Sequence, residues 1–237
     1  MKTLTIRLNA PLQSFGNEAT FARRTTWKCP SKSAVIGMLS AAMGYRRNDP
    51  RIVDLNTLKF AVRIDQPGQI MTDYQTVEWK FSTRKITYRD YLQDAIFMVA
   101  VGSEDAQLID SLQTALRHPK FQLFFGRRAN APAGPLQLHL INHRDPVQVL
   151  TDFKWQASKW FRQKTKKESV RLELIADADL LPDSKVGPEL VKDRVISLDQ
   201  RCRQIGFRAV SRTRVQLNND KFKKQTVDTN HDIMNFL

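Results

Sequence analysis

The sequence predicts an α+β fold in which two helices pack on one face of an antiparallel sheet. Five segments have the apolar alternation or continuous apolar character of strands: residues 4–8, 58–65, 95–101, 121–125 and 136–141. Two helical patterns interrupt them, at residues 34–43 and 104–117. The order is therefore strand, helix, two strands, helix, strands, which is a split βαβ pattern.

Both predicted helices carry signals at their ends. Ser31 or Ser33 can cap the start of the first, and Gly44 suits the left-handed residue that ends it. Ser103 is expected to cap the second helix, and Pro119 stops it. The apolar face of the second helix consists of Leu108, Ile109, Leu112 and Leu116.

Two further regions are predicted from the pattern of polar, apolar and charged residues. Polar and apolar residues alternate within residues 66–90, after the turn signal Gln66-Pro67-Gly68, and this favours an exposed β-hairpin. Beyond Asp145-Pro146 the chain becomes more basic and strand-like. We therefore expect a first domain at residues 1–145 and a smaller β-rich region with a basic tail at residues 146–237.

Composition favours a polyanionic partner. The 237 residues carry a net charge of +14 with a pI near 10.0, a balance typical of proteins that bind nucleic acid or an anionic surface. No apolar run approaches the roughly 18 residues of a membrane span, and the N-terminus lacks a signal-peptide pattern, so we expect a cytoplasmic protein without membrane contact. Cys29 and Cys202 have no zinc-site spacing and are expected to be free thiols.

The charge is segregated along the chain. Residues 1–47 carry +7, residues 154–171 carry +6 and residues 192–214 carry +5, while residues 172–191 carry −4. Residues 48–153 have no net charge. Three basic blocks separated by neutral or acidic segments indicate a surface that follows a polyanion.

Two places combine these charges with backbone suited to phosphate. The start of the helix at residue 34 offers unpaired N–H groups, and Arg23, Arg24, Lys28 and Lys32 precede it. In Gly126-Arg127-Arg128 a glycine allows close approach of the backbone while two guanidinium groups project. Aromatic residues near basic ones could stack on RNA bases: Phe15, Phe21, Trp27, Tyr74, Trp79 and Tyr88.

Catalytic signals are sparse. The four histidines, His118, His139, His143 and His231, have no carboxylate at metal-site spacing, and no metal or cofactor is expected. The sequence contains no Walker loop, nucleophile elbow or metalloprotease motif. A metal-independent ribonuclease could use an acid, a base and a phosphate stabiliser drawn from Tyr74, Tyr88, Lys85 and His118, although their spacing does not require it.

Several segments, in their order and spacing, resemble the CasD family of the type I-E CRISPR Cascade complex, a branch of the RAMP superfamily. They are residues 7–16 (RLNAPLQSFG), 30–44 (PSKSAVIGMLSAAMG), 60–65 (FAVRID), 73–77 (DYQTV), 91–95 (YLQDA) and 124–128 (FFGRR) with Pro132. The resemblance covers about residues 1–135.

This resemblance implies a ferredoxin-like (βαββαβ) N-terminal domain with a protruding hairpin and a smaller β-rich C-terminal region. It implies a non-catalytic subunit that holds the 5′ handle of the CRISPR RNA (crRNA) and caps the backbone filament. Its expected partners are crRNA, a CasC-like backbone subunit and a CasA-like large subunit, with target DNA bound through the complex. The residues expected to contact RNA are Gln13, Arg23, Arg24, Lys28, Ser31, Lys32, Ser33, Tyr74, Arg84, Arg89, Arg127 and Arg128.

Two alternatives stay open. A related CasD-like subunit of type I-C systems cuts repeat RNA, so a metal-independent endoribonuclease is the second hypothesis. The third is a generic basic RNA-binding protein that is indifferent to the sequence of the handle.

Overall fold

The computed structural model describes residues 1–16, 20, 22–182 and 187–222. In these residues the strands, in chain order, are β1 (Lys2–Asn9), β2 (Leu12–Gln13), β3 (Arg23–Arg24), β4 (Lys59–Gln66), β5 (Gln69–Lys80), β6 (Thr83–Gln93), β7 (Ile96–Ser103), β8 (Gln137–Asn142), β9 (Ser169–Asp177), β10 (Glu189–Ser197) and β11 (Gln204–Asn218). The helices are α1 (Lys32–Met43), α2 (Arg51–Asp54), α3 (Ala106–Arg117), α4 (Pro146–Asp152) and α5 (Lys159–Lys164). Short 3₁₀ turns follow α2 and β9, at Leu55–Thr57 and Ala178–Leu180.

The main sheet has seven strands in the order β10-β11-β9-β4-β7-β1-β8, and all its neighbours are antiparallel. The inner strand β7 lies between β4 and β1, so each of the connections β1-α1-β4 and β7-α3-β8 skips one strand. The predicted α+β class is confirmed. The predicted strand at residues 121–125 is wrong: this segment has no strand pairing, and Phe125 is held by loop hydrogen bonds to Ser14 and Asn130.

The helix ends follow capping chemistry closely. Ser31 caps α1, where its hydroxyl accepts from the Ala34 N–H, and Gly44 ends the helix at φ 82°, as predicted. For α3 the predicted cap is wrong. Asp105 accepts from the N–H groups of Gln107 and Leu108, while Ser103 accepts only from the Asp105 N–H.

The predicted hairpin is present and long. Strands β5 and β6 pair from Gln69–Gln93 to Lys80–Thr83, and the tip turns at Ser82 with φ 61°. Among the described residues, β2 pairs with the last two residues of β6, and β3 pairs with Tyr88 and Arg89 in its middle. The outer part of the hairpin is largely exposed, because it has no layer to pack against.

Each face of the main sheet has its own apolar core. On the first face, α1 and α3 cover residues that include Leu4, Ile6 and Phe97. On the second face, α4 and Trp155 cover residues that include Met98 and Leu174. Because every strand of the sheet's centre is buried on both sides, its residues are almost continuously apolar.

The region after residue 145 contains the predicted strands, and they continue the same sheet. Strand β9 pairs with β4 through Ala61–Ala176, Val62–Ile175 and Arg63–Leu174. Side chains of β9, β10 and β11 enter the first core together with those of β1 and β7. Backbone pairing and apolar packing therefore both cross the predicted domain boundary.

A buried ion pair fastens the chain that follows α4. Arg63 and Asp65 are both fully buried, and the Arg63 Nε donates to Asp65 Oδ1 at 2.6 Å. The same guanidinium donates to the carbonyls of Phe153 and Lys154, at 2.6 and 3.1 Å. Trp155 donates its indole N–H to the Asp65 carbonyl at 2.7 Å. These bonds satisfy the buried charges and hold residues 153–156 on the sheet.

Both cysteines are free, as the sequence predicts. Cys29 is buried, and burial raises the pKa of its thiol to about 12. Cys202 is exposed.

Candidate nucleic-acid interface

Residues 22–24, between β2 and α1, lie along strand β6 of the hairpin. Phe15 and Trp27 form a bridge in which the Trp27 N–H donates to the Phe15 carbonyl at 2.7 Å. Further along, the Tyr88 N–H donates to the Ala22 carbonyl at 2.8 Å. This bond places β3 parallel to β6, with Arg23 and Arg24 beside Tyr88 and Arg89.

The Gly126-Arg127-Arg128 loop meets this region from the other side. Gly126 has φ 90°, and a Cβ at that position would lie 1.5 Å from the Ser14 carbonyl oxygen. Only glycine permits this approach. The Ser14 N–H donates to the Phe125 carbonyl at 3.1 Å, which fixes the loop against β2.

Arg127 links the loop to β3. Its Nη2 donates to the Arg24 carbonyl at 3.1 Å, and its guanidinium lies over the Tyr91 ring at 4.3 Å from the centroid. Four arginines therefore converge where the loop, β3 and the hairpin base meet. We call this group the arginine cluster: Arg23, Arg24, Arg89 and Arg127.

The arginine cluster has unused donors. The Arg127 Nη1 and the Arg89 Nε are both buried and have no hydrogen-bond partner. The nearest carboxylate pairing is weak, since Arg23 Nε lies 3.7 Å from Asp90 Oδ2, and Asp90 also accepts from the Thr72 hydroxyl at 2.8 Å. Neither atom reaches the surface, so the exposed guanidinium groups of Arg23, Arg24 and Arg128 are the ones open to a phosphate.

Exposed charge surrounds the arginine cluster. Arg128 follows Arg127 directly and is exposed, and Lys28 is exposed at the end of the same loop as β3. Tyr74 and Tyr88 are opposite each other on the hairpin and both rings are exposed, Tyr74 by 68%. Two open rings beside arginines can stack on unpaired bases.

Arg84 lies apart from this group. It is exposed near the hairpin tip and sits 3.7 Å from Glu78. Four residues of extended chain separate it from Tyr88, a distance of about 13 Å. Arg84 belongs to the hairpin as predicted, and the fold does not bring it to the arginine cluster.

The predicted anion site at the start of α1 is occupied by the chain itself. The Lys32 N–H donates to Asp193 Oδ2 at 2.9 Å, and the Lys32 ammonium lies 3.2 Å from Asp177 Oδ2. Lys32 is only 5% exposed. Burial lowers the pKa of its ammonium group, and the negative charge of Asp177 offsets part of this shift. The interpretation of Lys32 as a surface phosphate ligand is therefore corrected: its partners are internal carboxylates.

The neighbouring serines and Gln13 also have internal roles. Ser31 is buried as the cap of α1, and its hydroxyl lies 3.2 Å from that of Ser33. Gln13 is fully buried and donates from Nε2 to the Ala95 carbonyl at 2.7 Å. Ser31 and Gln13 are out of reach of a polyanion at the surface, and this corrects their predicted contact with RNA.

Two arginines of the third basic block, residues 192–214, are neutralised within the fold. Arg208 donates from Nε to Asp193 at 2.9 Å and from Nη1 to Asp177 at 2.5 Å. Burial alone would lower the pKa of Arg208, but these carboxylates raise it above its usual value. Arg212 pairs in the same way with Glu173 and Glu189. Asp177, Glu173 and Glu189 of the acidic segment 172–191 thus pair with two arginines of the basic segment 192–214.

The residues proposed for catalysis do not meet. Tyr74, Tyr88 and Lys85 are on the hairpin, whereas His118 ends α3, which packs on α1, β1 and β7. The His139 ring contacts Phe153 instead of a metal ligand set. His231 and Phe21 lie outside the described residues. Within the described residues, no group of three or more metal-ligating side chains is present.

Sequence reasoning missed two parts of this interface. Tyr91 supports the Arg127 guanidinium, and Asn130 closes the loop by donating from Nδ2 to the Phe125 carbonyl at 3.1 Å. Asn130 follows the arginines at a spacing typical of a turn, which is a usable signal. The contact with Tyr91 joins distant segments and has no local signal.

The comparison with known families decides the identity. The sequence model of the family described as "CRISPR-associated protein (Cas_Cas5)" matches residues 3–211. The chain belongs to the Cas5 family. The resemblance to CasD noted from the sequence is thereby confirmed.

Individual Cas5 relatives agree with this assignment. The chain is 28% identical over 170 residues to the CRISPR system Cascade subunit CasD of Escherichia coli (strain K12), covering 63% of this chain and 76% of that protein. It superposes with a TM-score of 0.75 on a chain of a solved CRISPR RNA-guided surveillance complex, at 28% identity and 95% coverage of both chains. A crystal structure of a Cas protein gives a TM-score of 0.65 at 28% identity, covering 94% of this chain and 98% of that one.

No helix among the described residues of this Cas5 chain is long and apolar enough to cross a membrane.

Proposed function

We propose that this chain is a non-catalytic RNA-binding subunit of a type I-E Cascade complex, which holds the 5′ handle of crRNA and caps one end of the backbone filament. The observation that carries the proposal is the arginine cluster, which lies beside the two exposed tyrosine rings Tyr74 and Tyr88. Guanidinium groups held in fixed positions match the phosphates of an RNA backbone of defined shape better than mobile side chains do.

The wider assignment rests on the family. The strand order β4-β7-β1-β8 with helices α1 and α3 on one face supports a ferredoxin-like unit carrying the interface. One relative is named as a Cascade subunit and another belongs to an RNA-guided surveillance complex. The partners would be crRNA, a CasC-like backbone subunit and a CasA-like large subunit, in the cytoplasm, with target DNA bound through the complex.

Within the proposed interface the roles differ. Arg24, Arg89 and Arg127 would hold phosphates at the hairpin base, and Arg23, Lys28 and Arg128 would extend that contact over the surface. Tyr74 and Tyr88 would stack on handle bases. Lys32, Ser31 and Gln13 would support the fold without touching RNA.

The test is a pair of substitutions, Arg127→Ala with Arg128→Ala, in the complex reconstituted with crRNA. We expect handle RNA to bind at least tenfold more weakly, with the slope of log affinity against log salt reduced by about 1.4 because two single-strand phosphate contacts are lost. Fluorescence anisotropy with labelled handle RNA measures both quantities.

Arg117→Ala with Arg144→Ala is the matched control, since it removes two arginines that are exposed on other elements. Circular dichroism must show that both variants are folded. Handle binding that is unchanged by the first pair, or equally weakened by both, would contradict the assignment.

A second candidate is a metal-independent endoribonuclease, favoured only by the two exposed tyrosines next to the arginine cluster. Incubating the purified protein with repeat RNA in a chelator separates the two functions. We expect the RNA to stay intact; discrete cleavage that disappears in Tyr74→Phe or Tyr88→Phe would establish the enzyme instead.

A further inference from the structure

A second exposed basic surface surrounds α5, and the arginine cluster does not include it. Its members are lysines and one tryptophan from a short stretch of chain, all exposed, and we call them the α5 patch: Lys154, Lys159, Trp160, Lys164, Lys166 and Lys167. Among the described residues, none of these five lysines forms an ion pair with a carboxylate.

The backbone that carries the α5 patch is held in place by ring packing and hydrogen bonds. Phe161 packs edge-on against the buried Trp155 at 6.1 Å between ring centroids. Asn219, at the end of β11, donates to the carbonyls of Arg162, Thr165 and Lys167 at 2.9 to 3.2 Å. With the Arg63–Asp65 pair beneath residues 153–156, the backbone that carries the lysines is held at both ends.

Trp160 faces solvent. The neighbouring Phe161, in contrast, packs against the buried Trp155. The Trp160 ring is 63% exposed, and its neighbour is the Lys164 ammonium at 4.7 Å from the centroid. An exposed indole beside lysines that have no carboxylate partner among the described residues suits a ligand with both negative charge and an aromatic face.

Nucleic acid fits this chemistry better than a protein surface does. Lysine is depleted in protein–protein interfaces, whereas exposed lysines on the same short stretch of chain as an exposed aromatic ring match a surface that follows phosphates and stacks a base. A single strand offers free base faces, and a duplex keeps its bases stacked inside. We propose that the α5 patch is a second polynucleotide site, specific for single-stranded nucleic acid.

This site is separate from the arginine cluster. Phe161 of α5 packs on the second core, on one face of the main sheet, whereas Phe125, which begins the arginine loop, packs in the first core on the other face. The proposal therefore stands whether or not the chain holds a crRNA handle.

The experiment measures binding of fluorescein-labelled oligo-dT of 15 nucleotides to the full chain carrying Arg127→Ala and Arg128→Ala, so that the arginine loop contributes little. In that background we compare Trp160→Ala with Trp160→Phe. Trp160→Ala is expected to weaken binding about tenfold, and Trp160→Phe much less, because phenylalanine keeps a stacking face. Lys159→Gln with Lys164→Gln is expected to lower the salt slope by about 1.4.

Each outcome decides the proposal. A larger effect of Trp160→Ala than of Trp160→Phe, together with the lowered salt slope, supports it. Oligo-dT affinity that is unchanged in all three variants overturns it, as does equal loss with alanine and phenylalanine. Equal affinity for a dA·dT duplex of the same length overturns the single-strand assignment.

Discussion

Gly126 is the residue on which the arginine loop depends. Its φ of 90° lies in the left-handed region, and the Ser14 carbonyl occupies the space where a side chain would begin. The carbonyl cannot withdraw, because the Ser14 N–H is bonded to Phe125 and the Ser14 hydroxyl to the Asp90 carbonyl. A single missing Cβ thus sets the position of Arg127.

Gly126→Ala is expected to lower the free energy of unfolding by at least about 3 kcal/mol, since it combines backbone strain with a clash against fixed backbone. Urea denaturation measures this change. Gly134→Ala is the matched control, because Gly134 has φ 111° with nothing within 4 Å of a built Cβ. A loss at Gly126 no larger than that at Gly134 would show that the close contact is unimportant.

At the scale of single residues, the local sequence identifies residues with special chemistry better than it identifies their contacts in the fold. Gly126, Arg127 and Arg128 are recognisable from a short motif, because glycine and arginine have distinct local chemistry. The burial of Gln13 and Lys32 is not recognisable, because their partners Ala95 and Asp177 are 82 and 145 residues away along the chain. A polar residue in a basic stretch looks the same whether it faces water or an internal carboxylate.

At the scale of elements, α1 shows what local signals can and cannot give. Ser31 and Gly44 define its ends from sequence alone. What fills the positive end of the helix is a carboxylate of β10, which also accepts two hydrogen bonds from Arg208 at 2.9 and 2.8 Å. Lys32, Asp177, Asp193 and Arg208 form a closed group of two cations and two anions that joins α1 to three strands.

Asp193→Ala is expected to cost about 3 to 5 kcal/mol of unfolding free energy, because Arg208 and the Lys32 N–H lose a buried partner. Thermal and urea unfolding provide the measurement. Asp179→Ala is the control: Asp179 pairs with Lys59 at an exposed position, and such pairs contribute below about 1 kcal/mol. Similar losses for both substitutions would mean that burial adds nothing to the Asp193 contacts.

At the scale of the whole molecule, one sheet runs through both predicted regions. The change of texture near residue 145 marks the capped start of α4, where Asp145 forms a capping box with Gln148. It does not mark a gap in packing, because β9 lies against β4. Composition along the chain indicates exposure and charge. Strand pairing between distant segments cannot be inferred from it.

A chain that ends at Asp145 is therefore expected not to fold cooperatively. It would expose an edge of β4, leave Arg63 and Asp65 without residues 153–156, and remove Asp177 and Asp193 from Lys32. Its amide resonances should be poorly dispersed and its thermal transition broad. The control ends at residue 222 and keeps every contact described above. A sharp transition in the shorter chain would contradict the continuity of the core.

The carboxylates around Lys32 have a consequence for synthesis in the cell. Asp177 and Asp193 leave the ribosome 145 and 161 residues after Lys32, an interval of about 8 to 30 s at ordinary elongation rates. Until then Lys32 has neither carboxylate partner, and α1 lacks the contacts that it makes with β10 in the folded chain. We therefore expect the nascent polypeptide to expose apolar surface of α1 that chaperones can bind, although the Gly126-Arg127-Arg128 loop has already been made.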